Sequence, residues 1–271
     1  MKSILLAIIA FSGALPAFSQ SDSTVQSDKP DTIKVGGMII VKKHGKNDDD
    51  NDHKDITISN RHHYKPSNVS TNWWIVDLGF TNYADNTDYS SAAAQAFAPG
   101  GTKDRFDLRS GKSVNVNIWI FMQRVNLIKH AVNLKYGLGL ELNNYRYDDE
   151  SVHINKNPTL ITFDEKDVRK NKLAADYITA PVMLNFNFTP SRSRGFGFSA
   201  GISAGYLYSA RQKINHSKLH GNFDLEKWKL SYVGELNLGF VKFYGSYAFK
   251  SMWSKGLDQT PYSVGIRLSS W

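Results

Sequence analysis

The chain has 271 residues, no cysteine, a net charge of +8 and a mean hydropathy of −0.40. That length suits one large β domain or two small ones, and the absence of cysteine excludes disulfides and a lipid-anchoring lipobox. A negative hydropathy excludes a set of apolar helical spans, but not a membrane barrel, whose half-polar strands average out.

The first twenty residues, MKSILLAIIAFSGALPAFSQ, place Lys2 ahead of an apolar run from Ile4 to Leu15, then Ala17, Phe18 and Ser19. Small residues at −3 and −1 predict a signal peptide over 1–19, cut after Ser19. The apolar run is short for a bilayer span of about 20 residues. Export removes nucleic acid as a partner for the basic excess. Phosphorylated surface glycolipid is an alternative use of it.

Residues 20–71 are polar and read as a periplasmic segment. Ile33, Val35, Ile39 and Val41 predict one short strand or two, and Ile56 and Ile58 another. A small hairpin could enclose the Asp-rich turn. The run Asp48, Asp49, Asp50, Asp52 with His53 lacks the alternating carboxylates and turn glycine of a hard-cation loop. It reads as a solvated linker.

From Asn72 onward the side chains alternate, which in a strand places them on opposite faces. Trp74, Val76, Leu78 and Phe80 oppose Asp77, Gly79 and Thr81. Val114, Val116, Ile118 and Ile120 oppose Asn115, Asn117 and Trp119. The clearest case is AVNLKYGLGLELNNY at 131–145, where Val132, Leu134, Tyr136, Leu138, Leu140 and Leu142 oppose Asn133, Lys135, Gly137, Gly139, Glu141 and Asn143. Strands of the same kind follow around Val182, Ile202, Leu236, Tyr247 and Val264, eight in all. Pro181, on the polar face, predicts a local bulge or kink.

The connections alternate in length. Segments 83–109, 146–172 and 209–227 are long, 123–130, 189–194 and 241–242 are short, and 253–259 is intermediate. Outer-membrane barrels pair short periplasmic turns with long external loops on an even strand number. The expectation is therefore an all-β, eight-stranded antiparallel up-and-down transmembrane barrel over 72–271, both termini periplasmic. A hairpin within 146–172 would raise the count to ten.

Three features put the apolar face outside. Trp73, Trp74, Phe186, Phe188, Phe196, Phe198, Phe240 and Phe243 gather at the short turns, and Tyr206, Tyr208, Tyr232, Phe249 and Tyr262 at the long loops, as in interfacial girdles. The polar face is rich in Gly, Ser and Asn, as a narrow lumen requires. Its charges, Asp77, Lys135, Glu141, Glu235, Lys250 and Arg267, are nearly balanced, and buried charges must pair. Asp77 and Arg267 are expected to meet where the first strand closes on the last. Lys135 and Glu141 should find partners on neighbouring strands, and Gly137 and Gly139 make room in the lumen. Tyr136 stands alone on the lipid face with no evident role.

The export signal, DTIKVGGMIIV before the Asp-rich tract, KSVNVNIWIFMQRVNLIKHAVNLKYGLGLELNNYRY, and YITAPVMLNFNF before an aromatic-glycine strand resemble the outer-membrane β-barrel domain proteins common in Bacteroidetes, a group that includes PorT-like proteins. The resemblance implies an integral barrel inserted by the outer-membrane assembly machinery. Trp271 matches the terminal aromatic which that machinery favours, out of register with Ile266 and Leu268.

No catalytic, cofactor-binding or metal-ligating residue is assigned, and no cofactor is expected. His44, His53, His62, His63, His130, His153, His216 and His220 fall in predicted loops, turns or the N-terminal segment. A lipid-modifying enzyme would have to use His153, His216 or Ser217 at the outer rim. A small channel is the other alternative, but eight strands leave an interior just wide enough for side chains, here Trp119, Tyr177 and Tyr244. The expected role is structural or interactive, through the loops or the periplasmic segment, with outer-membrane lipid and lipopolysaccharide as partners. The run 159–163 could extend a hairpin above the membrane whose edge accepts a partner strand.

Overall fold

The computed structural model describes residues 67–164, 170–190 and 195–269, and ahead of them the backbone of three short strands. The signal peptide, the Asp-rich tract, His44, His53, His62, His63 and Trp271 lie outside the described residues. The chain divides into two units, 1–62 and 63–271. In the first, β1 (Asp31–Val35), β2 (Met38–Lys42) and β3 (Thr57–Ile58) form an antiparallel sheet in the order β1-β2-β3. Ile33 lies opposite Ile40, and Ile40 opposite Ile58. The Asp-rich stretch between β2 and β3 lies outside the described residues.

The second unit runs β4 (Val69–Asp85), β5 (Val114–Ile128), β6 (Val132–Arg146), β7 (Val152–Asn155), β8 (Leu160–Phe163), β9 (Asn171–Asn187), β10 (Phe196–Ile214), β11 (Ser217–His220), β12 (Trp228–Leu238), β13 (Lys242–Ala248) and β14 (Gln259–Leu268). Eight of these, β4, β5, β6, β9, β10, β12, β13 and β14, pair antiparallel in sequence order, and β14 returns to β4 to close the barrel. Closure removes every edge except those of the loop hairpins. β7 and β8 pair only with each other, so the hairpin in the second long loop adds no barrel strand. β11 instead pairs with the projecting end of β10 itself, forming a hairpin at the third long loop. The barrel begins at Val69, three residues before the expected boundary.

Several strands are longer than a bilayer demands. β9 has 17 residues and β10 has 19, against about 9–11 for a tilted span. Their long-loop ends project beyond the apolar belt.

Local irregularities reset which side chains face inward. β5 carries one extra residue near Ile120 relative to β6. Beyond it Phe121, Gln123 and Val125 align with outward residues of β6, while Met122 is fully buried. Trp74, expected in phase with Val76 and Leu78, instead takes φ 56° beside this bulge, and both Trp73 and Trp74 are exposed. A second irregularity falls at Tyr208, between β9 and β10. Pro181 causes no register shift: pairing with β10 is continuous through Ser203 opposite Pro181, and only the ladder to β6 lapses there. The missing N–H interrupts one side of the strand without adding a residue.

The outside of the barrel is apolar. Leu78, Phe80, Val182, Leu184, Ile202, Leu236, Val264 and Ile266 are all exposed. At the short turns Phe186 stacks on Phe198 at 4.7 Å, and at the long-loop end Tyr206 meets Trp228 edge-on at 5.1 Å and Tyr232 lies 4.5 Å from Phe249. Both aromatic belts are therefore present. Tyr136 acquires a role at this point, since its hydroxyl donates to Gln123 Oε1 on the same outer face, and Gln123 donates to Thr71 Oγ1 at 3.0 Å. The phenol is satisfied laterally, so its polar tip is not left bare on an apolar surface.

Candidate functional site in the lumen

The interior is closed at two levels. Nearest the short turns, Arg267 of β14 faces Asp77 of β4 in register. Its Nε and Nη2 each donate 2.7 Å bonds to the two oxygens of Asp77, a bidentate pair across the closing seam. This is the pairing expected from the sequence. Arg267 Nη1 also reaches Glu235 of β12, which in turn pairs with Lys135 of β6. Trp119 Nε1 donates to Asp77 Oδ2 at 2.7 Å, and the indole lies 5.5 Å from the Arg267 guanidinium.

A second ion pair joins Glu141 of β6 to Lys229 of β12. Asn143 and Thr179 donate to the same carboxylate at 3.1 and 3.3 Å. The two pairs are linked by a ladder of asparagines: Asn117 donates to Asp77, Asn115 to Asn117 and to Asn143, and Asn143 to Glu141. Tyr244 caps it by donating to Asn115 Oδ1 at 2.5 Å. Three acids and three bases thus neutralise one another inside one connected network, the condition under which buried charge is tolerated.

Two expectations about this network are corrected. Lys135 and Glu141 find partners not on neighbouring strands but across the lumen, both on β12. A lumen this narrow brings opposite walls within one lysine's reach. Lys250 is not a lumen charge: it lies past the end of β13, largely exposed, 3.0 Å from Glu226. Lys229, which stands one position before the expected start of its strand, takes the inward place instead. Gly139 does make room, since a Cβ there would lie 2.8 Å from the Trp119 ring. Gly79 and Gly265, facing each other across the seam, leave space for the Tyr244 ring in the same way.

Above this level the inward side chains turn apolar. Tyr83, Tyr145, Leu173, Ala175, Tyr177, Leu207 and Ala210 line the wall, and the loops pack onto them. A short helix, α1 (Ala92–Phe97), is started by Ser91, whose Oγ accepts from the Ala94 N–H at 3.2 Å, and it buries Ala94 and Phe97. A 3-10 turn at Lys103–Phe106 buries Phe106. Phe97 meets Trp253 edge-on at 5.4 Å, and Phe106 meets Phe163 at 5.8 Å. The β7–β8 hairpin turns Val152, Ile154 and Ile161 fully inward. Gln212 of β10 holds it to the wall by accepting from the Ile154 N–H at 2.8 Å and donating to Val152 O at 2.9 Å. The run 159–163 is thus a component of a cap, with its apolar side chain Ile161 spent on packing.

Little space remains. A cavity of about 30 Å³ between Trp119, Glu141, Thr179, Pro181, Tyr244 and Arg267 holds roughly one water. At the rim, His153 lies in β7 opposite Thr162, and His216 and Ser217 lie at the β10–β11 turn. No hydrogen bond joins these side chains to one another or to a carboxylate among the described residues. His130 sits in the β5–β6 turn with φ 59°. No group of three or more metal-ligating side chains converges among the described residues.

A sequence profile for the outer membrane protein β-barrel domain matches residues 68–252, all but the last strand of the barrel. The chain belongs to this outer-membrane β-barrel family. It is accordingly an integral outer-membrane barrel protein; Arg267, on the last strand, lies beyond the matched residues. Among solved structures, that of Ail, the attachment invasion locus protein of Yersinia pestis, aligns over 73% of this chain and 98% of its own at 11% identity, with a TM-score of 0.31. No curated protein matches the chain.

Proposed function

We propose that this outer-membrane barrel serves a structural or interaction role and conducts nothing. The observation that supports this reading is the double closure of the lumen, by a neutralised ion network at one level and an apolar loop cap at the other. In this reading both barrel termini and the short turns face the periplasm, the capped loop end faces outward, and the aromatic belts mark the two bilayer interfaces. Outer-membrane lipid, lipopolysaccharide and the barrel assembly machinery are its proposed partners, and the resemblance to PorT-like proteins of Bacteroidetes belongs to the same proposal. We propose no enzymatic role: substituting His153 and His216 should leave the acyl pattern of lipid A, followed by mass spectrometry, unchanged, and an altered pattern would overturn this. Planar-bilayer recording of the purified full chain tests the closure directly. The expected trace is flat, and a stable open level of porin size overturns the proposal. Protease added to intact cells should reach the loop end only, and cross-linking in cells followed by mass spectrometry separates external from periplasmic partners.

A further inference from the structure

Where β6, β9, β10 and β11 project beyond the belt, their registers place four cations side by side. Arg146 is opposite Lys172, Lys172 opposite Lys213, and Lys213 opposite Lys218. All four alternate with residues packed inside the cap: Tyr145, Leu173, Gln212 and Leu219. They therefore share the outer face. Like charges directly opposite in a sheet destabilise it, so such a row has a structural cost unless an anion lies across it.

Two described carboxylates near the row are engaged elsewhere. Asp176 pairs with Arg211, one step nearer the belt, and Glu150 lies 4.0 Å from Arg146 and 3.2 Å from Arg109. Lys172 donates to Asn144 Oδ1 at 2.6 Å. No carboxylate pairs with Lys172, Lys213 or Lys218 among the described residues.

The height of the row selects its ligand. Tyr206, Tyr208 and Trp228, all exposed, mark the belt on this face. Lys213 stands five residues beyond Tyr208, about 12 Å higher for a strand rising ~3.3 Å per residue at a ~40° tilt. That is the layer of the sugars carried by a surface glycolipid, above its acyl chains. Strand spacing of about 4.8 Å sets Lys172 and Lys218 roughly 10 Å apart, so neighbouring ammonium groups can share a phosphate and the row can span two.

We infer that the Lys172–Lys213–Lys218 row binds phosphate groups on the inner sugars of an outer-leaflet glycolipid, fixing lipid to one sector of the barrel. This rests on the proposed orientation, with the loop end outward. The test uses the full chain in phosphatidylcholine vesicles doped with rough-type lipopolysaccharide, either native or dephosphorylated with hydrofluoric acid, and native mass spectrometry after release counts bound glycolipid. The wild type should retain the native form and release the dephosphorylated one. A triple variant, K172Q/K213Q/K218Q, should bind about a hundredfold more weakly, at roughly fivefold per cation near an anionic surface. Added inorganic phosphate should fail to displace the glycolipid; complete displacement would identify a site for free phosphate and overturn the lipid assignment. Folding of the variant is checked by its heat-modifiable gel mobility. K103Q/K255Q, in loops outside the row, controls for a general loss of positive charge and should bind as wild type. Equal binding by the folded triple variant, or equal loss in the control, overturns the proposal. Protease access to the short turns but not the loops on intact cells would instead defeat the orientation, leaving the row's phosphate affinity in vitro intact.

Discussion

The two halves of the barrel interior have opposite polarity although the same strands build them. Along β6, Lys135, Glu141 and Asn143 point inward into the polar network, and Tyr145, two residues on towards the long loop, points into an apolar cluster. Along β9, Thr179 belongs to the polar level and Tyr177, Ala175 and Leu173 to the cap. Outside, the order reverses: Leu140, Ile178 and Tyr206 give way to Asp176, Arg211 and Lys172. The inversion follows the surrounding solvent. Where lipid lies outside, apolar surface gains nothing by turning inward, and the interior is left to hydrogen bonds and ion pairs. Where water lies outside, the hydrophobic effect fills the interior.

If that contrast is right, the halves should respond differently to substitution. The largest effect belongs to the closing seam. Arg267→Met leaves Asp77 and Glu235 buried with lost partners, at a cost of about 3–5 kcal/mol, read as a fall in the urea midpoint of the refolded barrel. Adding Asp77→Leu should recover only part of this, since Glu235 stays short of one cation. Ile161→Ala comes next, at roughly 2–4 kcal/mol for a fully buried side chain. Its effect should be confined to the cap: proteolysis within 147–170 accelerates while the heat-modifiable gel shift of the barrel persists. Simultaneous loss of both signals would show the halves to be one cooperative unit.

Smaller effects sharpen the same division. Gly139→Ala places a Cβ 2.5 Å from Ile118 O and 2.8 Å from the Trp119 ring, and overpacking of that kind costs about 1–3 kcal/mol. Gly111→Ala, with nothing within 4 Å, should leave the urea midpoint unmoved. Arg109→Ala breaks exposed contacts to Asp148 and Glu150 and should give no measurable change in the same assay, because solvent screens such pairs.

The short-turn half was largely legible in the sequence. Alternation depends only on the two-residue repeat of a strand, so the eight strands, the lipid-facing leucines and the aromatic belts could be read without a fold. Strand order in an up-and-down barrel is also sequence order, which is why the Asp77–Arg267 contact followed from closure alone. The failures are where local backbone departs from the repeat. The extra residue at Ile120 and the positive φ of Trp74 shift which side chains face inward, and no composition signal marks them. The balance of three acids and three bases could be suspected from inward positions, but not their partners.

By itself, then, the sequence determined the barrel: its strand number, its long and short connections and which face is apolar, because each depends on neighbours in the chain. Only the tertiary structure decided that Lys135 and Glu141 reach across to β12, that Gln212 holds the β7–β8 hairpin in the mouth, and that Lys172, Lys213 and Lys218 stand in one row. Apart from the Lys213–Lys218 hairpin pair, these contacts join residues dozens of positions apart, and they depend on strand register and barrel diameter, which are set when the whole sheet closes.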